Sequence, residues 1–339
     1  MQQAAVPLAE GSAQAPDVAV TLYRQMVRLR LVSARMVDLQ RTEKVAFHTS
    51  SLGEEAAIVA AVLAARPHDW IFPGAREWGA AIVRGLPIAA YVHHAFGSSL
   101  DPVKGRSAPD HPASKALRVA QASGIVGAHL PQAVGFAWAA HARKDELVTV
   151  ALFGEGATST GDFHNAMNFA GVFKAPCVFV CRNNGRAAST PASRQTKSET
   201  FAEKAVAYGV ASAKVDGSDP MAVLAVLQAA VARAASGKGS TLVEVVTWPP
   251  AHLAEGADVL TLGDADPIVR LRRVLEQGGQ LAASGHDALV AETSAELDAA
   301  IAAAEAAGPP ALRTIVEDVY AEVPAHLSKQ LEEASSWRR

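Results

Sequence analysis

Apolar residues at Leu22, Met26, Leu29 and Met36 recur at helical spacing and predict a long helix from Pro16-Asp17 to about Arg41. A second helix is predicted over Glu54–Ala65. "RPHDW" breaks it, and "IFPGAREWG" leads into a third helix near Glu77–Arg84. "GSSLDPVKGRSAPDHPAS", rich in Gly, Pro and Ser, reads as a long loop, a kind that is usually functional or disordered. A small, mostly apolar helix follows Pro131 and ends near Arg143. Beyond it the pattern changes. "LVTVALF" (147–153), "PCVFVC" (176–181) and "STLVEVVT" (240–247) are apolar runs of the kind found in strands buried on both faces. Helical patterns at Gly161–Gly171, Ala202–Tyr208 and Met221–Ala235 lie between them, and an alanine-rich one covers Ser294–Ala307 before "GPP". Alternating strands and helices predict an α/β fold, a doubly wound parallel sheet with helical additions at both ends.

Composition narrows this only slightly. The 339 residues, half of them apolar, suit one large domain, expected over 18–339 with a C-terminal helical extension after a mobile tail at 1–17. A net charge of -3 gives no sign of a nucleic-acid or membrane partner, and no apolar run approaches the roughly 18 residues of a membrane span. Cys177 and Cys181, four apart on a predicted strand, share a face and read as reduced core thiols, which points to a cytoplasmic location.

The chemistry concentrates in "GEGATSTGDFHNAMNFAGVFKAPCVFVCRNNGRAAS" (154–189). A phosphate-binding P-loop fits Gly156 and Gly161 but finds Asp162 and Phe163 where Lys and Ser/Thr are needed. A dinucleotide fingerprint finds Ser159 in place of its third glycine. A divalent-cation site fits better. Glu155 leaves one strand and Asn184 leaves the next, which brings a carboxylate, a carboxamide and a backbone carbonyl together. Such hard oxygen donors suit Mg²⁺, which also binds diphosphate oxygens. The helix after Gly161 offers its positive end to the same anion, and Arg182 offers a guanidinium.

This stretch resembles the thiamine diphosphate motif, and more specifically the alpha subunit of the decarboxylating component of 2-oxo acid dehydrogenase complexes. "GEEAAIVAAVL", "FPGAREWGAAIVRGLP", "DPVKGRSAPDHPASKA", "GAHLPQAVGFAWAA" and "EDVYAEVPAHLSKQ" resemble family segments in family order, over residues 20 to 332. The resemblance implies the thiamine diphosphate-binding fold and an α2β2 assembly. It implies an active site shared with a beta subunit, without which this chain is inactive. The implied reaction decarboxylates a 2-oxo acid and passes the acyl group to a lipoyl domain of an acyltransferase. It implies Mg²⁺ held by Glu155, Asn184 and the Arg186 carbonyl. It places Arg76, Arg182, Gly154, Gly156 and Ala157 at the diphosphate, Gly124, Val126 and Ala188 along the cofactor, and His252 as a catalytic histidine.

Gly-Glu-Gly and the C-terminal segment resemble the branched-chain members more than the pyruvate ones. The departures are local. Ala75 replaces a tyrosine, Arg186 and Ala188 replace an aromatic and an isoleucine, and "HLAEGADVLTLGDAD" lacks the family loop's hydroxyls and acids. Leu253 replaces a serine that is phosphorylated in some relatives, so that switch is absent. These changes keep a second reading open, a non-catalytic homologue serving assembly or regulation. The loop departures also lead to the expectation that Val259 and Leu260 dock on the beta subunit.

Overall fold

The computed structural model describes residues 16–247, 259–260, 262–282 and 284–337. The expected tail lies outside them except at its last two residues, and so does His252. In chain order the helices are α1 (Pro16–Arg41), α2 (Glu55–Ala64), α3 (Gly79–Val83), α4 (Ile88–Phe96), α5 (His129–Ala142), α6 (Gly161–Phe173), α7 (Ala192–Gln195), α8 (Pro220–Ala235), α9 (Pro267–Gln277), α10 (Gly285–Ala307), α11 (Thr314–Glu317) and α12 (Ala325–Trp337). The strands are β1 (Trp70–Phe72), β2 (Thr149–Gly154), β3 (Cys177–Asn183), β4 (Arg186–Ala187), β5 (Thr190–Pro191), β6 (Ala211–Asp216) and β7 (Thr241–Val246). Five of them form one parallel sheet in the order β1-β2-β3-β7-β6, and β4 and β5 make a small antiparallel hairpin.

Alternation along the strands divides the core. Val150 and Leu152 of β2, Val178 and Val180 of β3, and Val243 and Val245 of β7 face one layer with α1, α2 and α8. Ala151 and Phe153, Cys177, Phe179 and Cys181, and Leu242 face the other with α5 and α6. The two thiols therefore share a face, as their spacing requires, and both are buried and free. Burial on both faces explains why these strands read as unbroken apolar runs.

Several expectations are corrected. The predicted third helix is split into a 3-10 turn at Ala75–Glu77 and the short α3, and Ala202–Tyr208 is a 3-10 helix. α10 begins at Gly285, well before Ser294. The long loop at 97–114 is neither empty nor loose. Buried Asp101 accepts from the backbone N–H of Val103 (3.2 Å) and Gly105 (2.8 Å), and buried Asp110 anchors it farther along. Leu260 is partly buried and packs against this chain's own main core. Among the described residues no helix is long and apolar enough to cross a membrane.

Candidate functional site

β2 and β3 run side by side with Gly154 opposite Arg182, so the residues that follow them emerge together at the carboxyl edge of the sheet. There Glu155 begins a 3-10 turn to Ser159, and Thr160 caps α6 by accepting from the Phe163 N–H. Thr158 ties the turn to itself by donating to the Glu155 carbonyl (2.7 Å). Lys204 Nζ in turn donates to Thr158 Oγ1 (2.8 Å) and to the Thr158 carbonyl (3.2 Å). Gly156 is required by crowding, because a Cβ there would come within 2.6 Å of Ala187 Cβ on the β4–β5 hairpin. Ala188, in the turn between β4 and β5, has φ 51°, in the left-handed region that non-glycine residues rarely enter.

A cavity of about 520 Å³ opens above this edge. Arg76, Gly124, Val126, Gly154, Glu155, Gly156, Ala157, Arg182, Asn184, Arg186 and Ala188 all line it. The structure thus brings together the whole set proposed from sequence except His252, which lies outside the described residues.

Residues the sequence reading did not single out complete the floor. Glu54 and Glu77 are buried and hold Arg182 between them, Arg182 donating from Nε to Glu77 and from Nη1 to Glu54. Burial alone would push the Arg182 guanidinium down, but the two carboxylates more than offset it, so the group stays charged. Glu54 also accepts from Asn184 Nδ2 (2.8 Å), and Asn184 Oδ1 accepts from the Arg186 N–H (3.1 Å). Arg76, at the rim, donates to the Ser50 carbonyl (2.7 Å). His129 is buried and donates through Nε2 to the Leu152 carbonyl (2.9 Å). Burial pushes its pKa down, so it is neutral near pH 7. The signal for Glu54 and Glu77 was an acid beside a helix start in "GEEA" and "ARE", a pattern that surface acids share.

Glu155 stands apart from the other acids. It is 2% exposed, and its side-chain partner is Gln195 Nε2 at 3.4 Å. Burial, with Glu54 nearby, raises its pKa. Three buried carboxylates thus share the floor with one buried guanidinium, which leaves the floor electronegative and suited to a cation. Among the described residues no three His, Cys, Asp or Glu side chains converge as a metal cluster. The available set is one carboxylate, one carboxamide oxygen and backbone carbonyls, with arginines at hand for an anion. Such a sparse oxygen set fits Mg²⁺ completed by water and phosphate oxygens.

Comparison with known proteins agrees with this geometry. Residues 23–313 match the family described as the dehydrogenase E1 component. The chain is 34% identical over 324 residues to the 2-oxoisovalerate dehydrogenase subunit alpha 2, mitochondrial, of Arabidopsis thaliana, covering 93% of this chain and 69% of that one. It is 34% identical over 321 residues to the pyruvate dehydrogenase E1 component subunit alpha of Bacillus cereus, covering 92% and 84%. With the Staphylococcus aureus (strain Mu50) protein of the same name it shares 33% over 323 residues, covering 92% and 85%. The chain belongs to the dehydrogenase E1 component family, as an alpha subunit of the 2-oxo acid dehydrogenase kind.

Proposed function

We propose that the chain binds thiamine diphosphate with Mg²⁺ and, with a beta subunit, decarboxylates a 2-oxo acid and passes the acyl group to a lipoyl domain. The observation that carries this reading is the convergence of Glu155, Asn184, Arg182 and Arg76 on one cavity at the ends of β2 and β3. Thiamine diphosphate, when bound, supplies the electron sink on which the carboxylate is lost. The protein's part is placement. Glu155, the Asn184 carboxamide and the Arg186 carbonyl would hold the metal, while Arg76, Arg182 and the backbone of Gly154–Ala157 would hold the diphosphate. Gly124, Val126 and Ala188 would flank the rest of the cofactor. His252 would act on the substrate.

Identity does not choose between the substrates, since a 2-oxoisovalerate and a pyruvate dehydrogenase subunit are each 34% identical to this chain. We favour branched-chain substrates because Glu155 lies in Gly-Glu-Gly. The cavity is also lined by the apolar Ile125 and Val126 and the small Ala75 and Ala188, a lining that suits an apolar acyl group.

The second reading, a non-catalytic subunit, draws on those same small residues where the family carries larger ones. Reconstitution with the beta subunit separates the two. Titration with thiamine diphosphate and Mg²⁺ should show saturable binding, and CO2 release should be faster from a branched-chain 2-oxo acid than from pyruvate. Binding without turnover of any 2-oxo acid would favour the second reading, and absence of binding would defeat the first.

A further inference from the structure

None of residues 97–114 lines the cavity, yet one of them reaches directly behind its wall. Asp110 is fully buried. Its Oδ2 accepts from both the backbone N–H and the hydroxyl of Thr49, the latter at 2.6 Å. Its Oδ1 accepts from the Tyr91 hydroxyl at 2.9 Å and faces His48 Nδ1 at 3.0 Å. Burial, together with Asp110, pushes the Tyr91 phenol well up, so Tyr91 is a donor at any physiological pH. Four donors use the full accepting capacity of one carboxylate.

Burying a carboxylate is a poor way to gain stability, because desolvation offsets most of what its partners return. What such a group does provide is fixed geometry. Asp110 grips Thr49 by backbone and side chain at once, and Thr49 lines the cavity. The Thr49 carbonyl accepts from Trp78 Nε1 at 3.0 Å, and the next carbonyl, that of Ser50, accepts from Arg76 at 2.7 Å. The chain of contacts runs from Asp110 through Thr49 and Ser50 to the rim arginine.

We propose that Asp110 is a positioning residue that fixes the 49–50 backbone and thereby aims Arg76 at the cofactor's diphosphate. The inference rests on the function proposed above. Tyr91 provides the internal control. Its hydroxyl bonds the other carboxylate oxygen, and it reaches Thr49 only through the Trp78 ring it stacks on, a stack that phenylalanine keeps, so Tyr91→Phe disturbs the same buried cluster without releasing the rim.

The test uses the chain assembled with its beta subunit and two probes, thiamine diphosphate and inorganic pyrophosphate, each with Mg²⁺, titrated by calorimetry. Asp110→Asn and Thr49→Val should each weaken both probes by about tenfold, the effect of losing roughly one well-aimed charge-assisted contact. In Asp110→Asn the maximal rate at saturating cofactor should be kept. Tyr91→Phe should lower the melting temperature and leave both affinities unchanged. Wild-type affinity in Asp110→Asn, or equal weakening in Tyr91→Phe, would overturn the proposal. If Asp110→Asn does not fold, Thr49→Val decides by the same criteria. If the wild type binds neither probe, the functional reading and this inference fall together; if it binds and the variants match it, the inference alone falls.

Discussion

Glu155 shows how one side chain can be unfavourable for folding and necessary for function. Its carboxylate is buried with little hydrogen bonding, and burial raises its pKa. A group whose folded pKa lies above its unfolded one contributes most when protonated. That contribution is lost as pH rises from the ordinary carboxylate range through the raised value. Without metal and cofactor, Glu155→Gln should therefore melt above the wild type at pH 7, and the gap should close as pH falls below the carboxylate range. Mg²⁺ with thiamine diphosphate should reverse the order at pH 7, because the charge then has a partner. Thermal melts across pH, with and without the two, check both halves; equal melting at pH 7 in the free chain would count against the unpaired charge. For cofactor affinity, Glu155→Ala should cost about a hundredfold or more, judged against the 10–100-fold typical of mere supporting contacts. Glu155→Asp should be milder, since the carboxylate is kept but retracted. This residue was legible because its neighbours are glycines at a strand end. Glu54 and Glu77 were not, because only the fold turns two unremarkable acids toward Arg182.

At the level of elements, the buried Arg30 joins three helices. Its Nε and Nη2 donate to Glu55 of α2 at 2.8 Å each, and Nη1 donates to Asp266, the N-cap of α9. Nη1 also donates to the Val259 carbonyl at 3.4 Å, so α1 holds the end of the segment that follows His252. Arg30→Met would strand two buried carboxylates, and breaking a buried pair in this way costs about 3–5 kcal/mol. Urea unfolding should show that loss. Limited proteolysis should show faster cleavage within 252–264, and protection by the beta subunit and cofactor should be weaker than in the wild type. Unchanged cleavage would mean that Arg30 acts on the core alone. Two of the strands that sequence missed carry no local signal. β1 has three residues, too few for a period, and β6 is an edge strand, with mostly half-exposed side chains and no apolar run. α9 is different. Its Asp-Pro start and one-sided apolar face, Ile268, Leu271 and Leu275, carried a readable helix signal. Parallel order at β2–β3 was readable because one short helical connection joins two fully apolar runs. The placement of β7 beside β3, ahead of β6, depends on long-range packing that no local pattern encodes.

The whole molecule leaves apolar surface uncovered on the side of α5 and α6 away from the sheet. Leu130, Ala133 and Ala137 of α5 face the core, but Trp138, Phe169 and Val172 are 44%, 51% and 68% exposed. Trp138 stacks on Phe173 at 4.5 Å between ring centres, and together with Pro131, Gly135 and Phe169 they line a groove of about 410 Å³. Contiguous aromatic surface of this kind marks an association site, and small residues such as Gly135 allow a partner's backbone to come close. Trp138 lies in "GAHLPQAVGFAWAA", one of the segments that resemble the family, and the exposed aromatics of α6 extend that surface. The proposed beta subunit is the partner this face would meet. Phe169→Asp and Val172→Asp touch side chains that lie half or more in solvent, so each should change the unfolding free energy of the isolated chain by roughly 0.5 kcal/mol or less. An aromatic at an interface centre is commonly worth about 2 kcal/mol or more. Phe169→Asp should therefore weaken assembly with the beta subunit by about thirtyfold, converting the complex seen in sedimentation to separate subunits at micromolar concentration. Val172→Asp should do less, having less area to lose. If both variants sediment as the wild-type complex while the free chain melts lower, the face belongs to this chain's own packing and the beta subunit docks elsewhere.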